Sequence, residues 1–254
     1  MSARLRQPGP IHGFWTTTAH PAIVEIASSL EPDFVCLDAQ HGTDLSLLTS
    51  QTFTTMAYYD VPGLVRVARN HSSDIGRALD LGAAGVMVPM IETAEDATAA
   101  TASLRYGSTG TRSYGMQTPR VDPMSSDHQP LCAVQIETAS AIDNIDEIAE
   151  VEGVDWLYIG PADLGLASGG IPAADVLAVF EGSHPLSDQL LEGFGGVVAA
   201  AAKHGKLAGL HCGSGEASLV AQDHGFTVSS VAADLSEVRA GLSRQLNTAQ
   251  GLLS

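Results

Sequence analysis

The sequence predicts an α/β protein built as a single-domain (β/α)8 TIM barrel over residues 1–254. Three observations carry that expectation. Eight strand–helix units follow one another in about 250 residues, the count such a barrel needs; a doubly wound sheet of this length needs no eight units. No Pro/Ser-rich linker or change of composition divides the chain, and a 44% hydrophobic content supplies a sizeable core. Asp38, His41, Arg66, Gln135, Glu137 and Asp163 all fall where strand-like runs end, the active face of a (β/α)8 barrel.

Residues 14–18 read as the first strand, followed by a helix over 21–30 with Ile23, Ile26 and Leu30 on one face. Residues 33–37 form a short apolar strand running into Asp38-Ala39-Gln40-His41-Gly42, and 45–58 read as the next helix. The third strand, 63–67, carries Arg66 near its end, and the helix over 74–81 stops at Gly82. Residues 86–90 make the fourth strand; Thr93 and Asp96 have capping-box spacing for a helix to Leu104. Residues 106–130 read as a long Gly/Ser/Pro-rich loop, a length often functional inside a compact domain.

In the fifth strand Val134 and Ile136 share one face, Gln135 and Glu137 the other. A helix over 141–151 leads through Gly153 to the sixth strand, 156–159. Residues 164–185 are interrupted by Gly and Pro, with a short helix at 173–180. The helix over 186–204 contains Gly193, Gly195 and Gly196, which weaken its pattern. Strand seven (207–211), a short helix (216–223), strand eight (226–231) and a closing helix (235–253) complete the chain.

Composition removes several function classes. No apolar run reaches the roughly 18 residues of a membrane span, and residues 1–10 hold two arginines without an apolar signal region. A cytoplasmic protein is expected. A formal charge of −17 weighs against nucleic acid, whose phosphates require a basic surface. The acids are scattered, as on a solvated face, and also suit a salt-tolerant host. Cys36, Cys132 and Cys212 are far apart within apolar runs, which reads as small buried hydrophobes in a reducing compartment.

The chemistry centres on Ala133-Val-Gln-Ile-Glu-Thr138 and Tyr158-Ile-Gly-Pro-Ala-Asp-Leu164, apolar runs that each end in a carboxylate. A buried unpaired carboxylate costs several kcal/mol. Glu137 and Asp163 sharing a hard cation such as Mg²⁺ or Mn²⁺ relieves both costs, whereas zinc favours His or Cys. The alternative is a pair of acids complementing helix N-termini. His41 can move protons near neutral pH, and Arg66 on the next strand tip can steady an oxyanion. Asp38 either orients His41 or caps the following loop, and Asp80, in a helix, reads as a surface acid.

Lys203 and Lys206, the chain's two lysines, lie away from predicted strand C-termini, which argues against a Schiff base. No Gly-x-Ser-x-Gly elbow, Walker loop or dinucleotide-binding turn is present. Gly213-Ser214-Gly215 fits either an anion cradle or a short turn.

These residues together resemble the HpcH/HpaI family of metal-dependent (class II) pyruvate aldolases. The matching segments are Phe34-Val-Cys-Leu-Asp-Ala-Gln-His-Gly42, Val65-Arg-Val67, Arg77-Ala-Leu-Asp-Leu-Gly-Ala-Ala-Gly-Val-Met-Val-Pro89, Gly110-Thr-Arg112, Gln135-Ile-Glu-Thr138, Val151-Glu-Gly-Val-Asp155 and Ile159-Gly-Pro-Ala-Asp-Leu164. They occur in family order and cover most of residues 13–240.

The resemblance implies a TIM barrel in a hexamer, a trimer of dimers, with the last helix (about 234–253) exchanged between subunits. It implies Glu137 and Asp163 as ligands of Mg²⁺, Mn²⁺ or Co²⁺, with Gln135 lining the site. Backbone amides around Gly160, Pro161, Ala162 and Asp163 would hold the carboxylate of a 2-oxo acid. Arg66 would steady the enolate oxygen, and His41, supported by Asp38 and Asp80, would transfer a proton through water. The implied reaction splits a 4-hydroxy-2-oxo acid into pyruvate, or a close 2-oxo acid, and an aldehyde.

Gln40 stands where many members have Glu, and Ser113 replaces the Gly of a Gly-x-Arg-Gly loop. Segment 115–131 is shorter and 166–185 longer than in well-known members, and His211 and Cys212 are not expected at the seventh strand tip. Citrate-forming condensation, decarboxylation and CoA-thioester lysis are the alternative reactions, and Arg112 and Arg120 alone offer CoA a basic patch. A non-catalytic barrel binding an oxo acid or a protein partner would be expected to lack some of the set, and all of it is present.

Overall fold

A computed structural model describes residues 2–42, 48–115 and 129–252. Its strands are β1 (Ile11–Thr16), β2 (Phe34–Asp38), β3 (Gly63–Arg66), β4 (Gly85–Val88), β5 (Leu131–Ile136), β6 (Trp156–Ile159), β7 (Leu207–His211) and β8 (Val228–Ala233). Each pairs in parallel with the next, and β8 closes on β1 with a register shift between Gly13 and Phe14. The (β/α)8 barrel expected from the sequence is the fold observed.

Period-two alternation sorts the strand residues. Trp15, Phe34, Leu64, Met87, Leu131, Trp156 and Tyr158 fill the barrel interior. Val35, Val65, Val86, Val134, Leu157 and Leu210 point outward into a larger core shared with the helices. Gly209 is required inside, because a Cβ there would run into the Tyr158 ring. A 3-10 turn at Ser2–Arg6 plugs the floor. Leu5 is fully buried and its carbonyl accepts from Trp156 Nε1 at 2.9 Å. Arg6 grips Asp155 through two bonds of 2.6 and 2.8 Å.

The helices are α1 (Pro21–Ser29), α2 (Ser50–Tyr58), α3 (Ser72–Leu81), α4 (Ala94–Ala102), α5 (Ala139–Asp143), α6 (Ile145–Glu150), α7 (Pro161–Ala167), α8 (Val176–Phe180), α9 (Ser187–His204), α10 (Gly215–Asp223) and α11 (Asp234–Ala249). The Thr93–Asp96 capping box forms as the spacing predicts. α9 runs through its three glycines, carried by the buried Leu190, Phe194 and Val197.

Other expectations shift. β1 begins at Ile11 rather than residue 14, because the His12 amide donates to Asp33 and Gly13 occupies an inward position that no side chain marks. The helix expected over 141–151 is two helices broken at Asn144, whose side chain donates to the Glu92 carbonyl at 2.9 Å. α2 starts at Ser50 behind a Thr49–Thr52 capping box, and residues 45–47 of the expected helix lie outside the described residues. Residues 116–128 of the long loop, with Arg120, and Leu253 of the closing helix also lie outside them.

α11 differs from every other long helix. None of its residues is buried, and Leu235, Val238, Leu242 and Leu246 form an exposed stripe at helical spacing. Its first residue is well anchored: Asp234 accepts from the Thr17 and Thr18 amides and from the hydroxyls of Thr16, Thr17 and Thr18. Among the described residues no helix is long and apolar enough to cross a membrane, and Cys36, Cys132 and Cys212 are free and buried.

Candidate active site

The C-terminal ends of the strands open on a cavity of about 730 Å3. Asp38, His41, Arg66, Gln135, Glu137, Gly160, Pro161, Ala162 and Asp163 all line it, and Asp80 does not. Alternation puts Gln135 and Glu137 on the inward face of β5 and its extension, as the sequence predicts.

Glu137 is 2% exposed, yet only one of its oxygens is satisfied. Oε1 accepts the Met90 amide at 2.8 Å, while Oε2 is buried with no partner. Met90 presents that amide from a left-handed conformation (φ 55°) directly after Pro89. Gly160 leaves the space beside the carboxylate, since a Cβ there would collide with Oε2. Burial pushes the Glu137 carboxyl upward; the Met90 amide opposes this, and the charge of Asp163 adds to it. Asp163 sits exposed in the first turn of α7.

A buried carboxylate oxygen without a donor, a second carboxylate beside it and the Gln135 Oε1 atom, also unpartnered, suit a hard divalent cation. Among the described residues no group of three or more His, Cys, Asp or Glu forms a metal cluster, so solvent and substrate oxygens must complete the shell. Such a donor set fits Mg²⁺ or Mn²⁺ better than zinc.

Opposite the carboxylates stands a locked guanidinium. Asp38 and Arg66 are register partners on β2 and β3, which makes a two-pronged pair possible: Nε–Oδ1 2.9 Å and Nη2–Oδ2 2.5 Å. Asp38 Oδ2 also accepts from Trp15 Nε1 at 3.3 Å, and Oδ1 from the amides of Gln40 and His41. Arg66 lies 4.9 Å from the centroid of the Trp15 ring. Burial alone would raise the Asp38 carboxyl, but Arg66 and the two amides outweigh it and hold it below the usual range.

This geometry corrects one expectation. Asp38 does not engage the His41 side chain; it binds the His41 backbone amide and spends its charge on Arg66, which offers two charge-assisted bonds at matched register. The His41 residue is exposed at the cavity edge. Asp80 pairs with Arg112 at 2.8 Å, and Arg112 is buried over the Tyr106 ring. Arg112 therefore presents no basic patch, and Arg120 lies outside the described residues. Ser214 caps α10 by accepting the Ala217 amide, which favours the turn over the anion cradle. Burial pushes the Cys212 thiol up to about 12, so this cavity residue is no thiolate at neutral pH. Sequence reasoning missed Trp15 and the Met90 amide. The inward parity of Trp15 with Cys36 and Asp38 is set by the register of β1 and β2, so neither it nor the amide left a signal in the sequence.

The family model for HpcH/HpaI aldolase/citrate lyase matches residues 12–235. A 4-hydroxy-2-oxovalerate aldolase of Novosphingobium aromaticivorans is 38% identical over 70% of this chain and 71% of its own length. A 5-keto-4-deoxy-D-glucarate aldolase of Salmonella arizonae is 31% identical over 93% and 91%. Among solved structures, an HpcH/HpaI aldolase/citrate lyase family protein from Burkholderia cenocepacia superposes with a TM-score of 0.85, 26% identity and 98% coverage of both chains. A citrate lyase beta subunit from M. tuberculosis, complexed with oxaloacetate and magnesium, shares the fold with a TM-score of 0.60 and 20% identity over 91% of this chain and 94% of its own.

Proposed function

This chain belongs to the HpcH/HpaI aldolase/citrate lyase family, and from that premise we propose that it is a carbon–carbon lyase, a divalent-metal-dependent aldolase. Its reaction reversibly cleaves a 4-hydroxy-2-oxo acid into pyruvate, or a close 2-oxo acid, and an aldehyde. The observation that carries the reading is the unpartnered, buried Glu137 Oε2 beside Asp163, facing a cavity that also holds Arg66.

Glu137 and Asp163 would hold the cation, with Mg²⁺, Mn²⁺ and Co²⁺ as candidates. When bound, it supplies positive charge to the oxo acid's oxygens. Cleavage breaks the C3–C4 bond and leaves its electron pair on C3, delocalised onto the C2 oxygen. Arg66 meets that oxygen. Asp38 occupies its Nε and Nη2, so Nη1, which has no partner among the described residues, remains to donate where charge develops. Asp38 acts as a positioning residue, fixing the guanidinium before substrate arrives. His41, whose side chain has no partner among the described residues, accepts the 4-hydroxyl proton through a water as the aldehyde departs. Gln135 and the Gly160, Pro161, Ala162 and Asp163 turn take the oxo-acid end. Lysine plays no part: Lys203 pairs with Asp146, and Lys206 donates to the Val151 carbonyl.

Family membership also implies a homo-oligomer, a hexamer assembled as a trimer of dimers. The exposed stripe of α11 supports exchange of that helix with a second copy.

Pyruvate release from a panel of 4-hydroxy-2-oxo acids tests the reaction, after EDTA treatment and then addition of each metal. Pyruvate that forms only with metal is the expected result. Metal binding without pyruvate from any substrate would replace aldol cleavage by condensation or decarboxylation at the same site.

A further inference from the structure

Among the polar groups lining the cavity, His211 is one that this mechanism leaves unused. His211 ends β7 on its inward face, two residues beyond Gly209. Its Nδ1 lies 2.8 Å from Ser230 Oγ on β8, and that Oγ accepts the Tyr158 hydroxyl from β6 at 2.9 Å. Ser230 and Tyr158 are buried, at 1% and 0% exposure. A serine hydroxyl carries one proton. With Oγ already receiving the phenolic hydrogen, the Ser230 proton goes to His211 Nδ1, because any other arrangement buries an unspent donor. The neutral imidazole therefore carries its hydrogen on Nε2.

That nitrogen has no partner among the described residues and is not a sealed atom. The ring is also held in place, edge-on to Trp15 with centroids 4.8 Å apart. Burial keeps the imidazole down at about 4, with the Arg66 charge acting in the same direction, so the donor stays neutral. The groups assigned to the oxo acid come from β3, β5 and the turn after β6. His211 and Trp15 line the cavity from β7 and β1, strands that carry none of those groups, and that border is left to the aldehyde half.

Resting on the aldolase reading, we propose that His211 is a specificity-determining residue. Its Nε2–H, oriented by the Tyr158–Ser230 relay, donates to an oxygen on the aldehyde half and selects hydroxyaldehydes over alkyl aldehydes of the same size. One neutral hydrogen bond of this kind sets a preference of roughly three- to tenfold.

The test is aldol addition of pyruvate by the metal-loaded enzyme to glycolaldehyde and to propionaldehyde, which differ by a hydroxyl against a methyl. The readout is the ratio of the two kcat/KM values. Deuterium exchange of the pyruvate methyl in D2O, followed by NMR without aldehyde, is the internal reference for the oxo-acid half. His211→Leu should cut the ratio roughly three- to tenfold, and His211→Gln, which keeps a donor, should restore most of it. Tyr158→Phe should lower the ratio in the same direction, because it frees the Ser230 proton from its fixed direction. A ratio unchanged in His211→Leu, with exchange persisting, overturns the proposal. So does a His211→Gln protein that keeps exchange but shows the same lowered ratio as His211→Leu. Absence of exchange in the wild type would instead sink the aldolase reading itself.

Discussion

Replacing Asp38 with Asn keeps the outline of the side chain and removes its charge. The Asp38 side chain is 1% exposed and that of Arg66 11%, so water screens the pair little. Asn offers one acceptor oxygen, enough for Nε of Arg66, but its amide NH2 then faces the Nη2 donor. One charge-assisted bond, worth about 1.5–3 kcal/mol, is lost outright, and a buried cation is left half-compensated. Removing one partner of a buried pair costs about 3–5 kcal/mol. The expected destabilisation of Asp38→Asn at pH 7 is therefore about 3 kcal/mol, read as a lower urea midpoint at unchanged m. The sign with pH follows from the direction of the shift. Asp38 is held below the usual carboxylate range in the folded state, so its contribution is full above the unfolded value of about 3.9 and fades as pH falls through the folded value. The gap between wild type and variant should therefore close in acid. Turnover should fall about 10²-fold, as for loss of one oxyanion donor, since Arg66 is no longer pre-set. A variant within about 0.5 kcal/mol of wild type at pH 7 would refute the claim that this pair holds the guanidinium.

Two further outcomes are expected. Glu137→Gln should abolish metal binding by titration calorimetry together with turnover, yet raise the thermal midpoint of the EDTA-treated protein at pH 7. Burial lifts the Glu137 carboxyl, so its ionised form opposes folding above the unfolded pKa, and an amide escapes that cost; an apo midpoint below wild type would contradict it. Leu242→Asp, at a residue 68% exposed on α11, should leave the circular dichroism spectrum intact and shift light-scattering mass toward smaller species. An unchanged mass would remove α11 from any subunit contact.

The barrel was legible because strand periodicity and unit count survive without knowledge of any contact. Glu137 and Gln135 were legible for the same reason, a period of two being enough to place both on one face. The pairing of Asp38 with Arg66 was not. The two lie 28 residues apart, and the register that sets Asp38 opposite Arg66 is a property of the closed sheet. Of the two local readings, orienting His41 or capping the loop, the cap is the one met, by the Gln40 and His41 amides. The relay through Tyr158, Ser230 and His211 draws on three strands, and only the unexpected His211 hinted at it. β1 starts three residues before the hydropathy pattern indicates, because an inward Gly leaves no trace in it. Where a helix is split by a side chain reaching another element, as Asn144 reaches Glu92, local pattern had no means to register the break.

The floor plug has a consequence for how the chain is made. During synthesis Leu5 and Arg6 emerge well before the Trp156 and Asp155 groups that hold them, which lie 151 and 149 residues later. Closure of β1 on β8 waits longer still, until Val228 and the residues after it emerge. Contacts of such sequence separation form late and slowly. The Ser2–Arg6 turn must therefore be kept from other partners until the sixth strand appears, so the floor of the barrel is sealed long after the residues that seal it have been made.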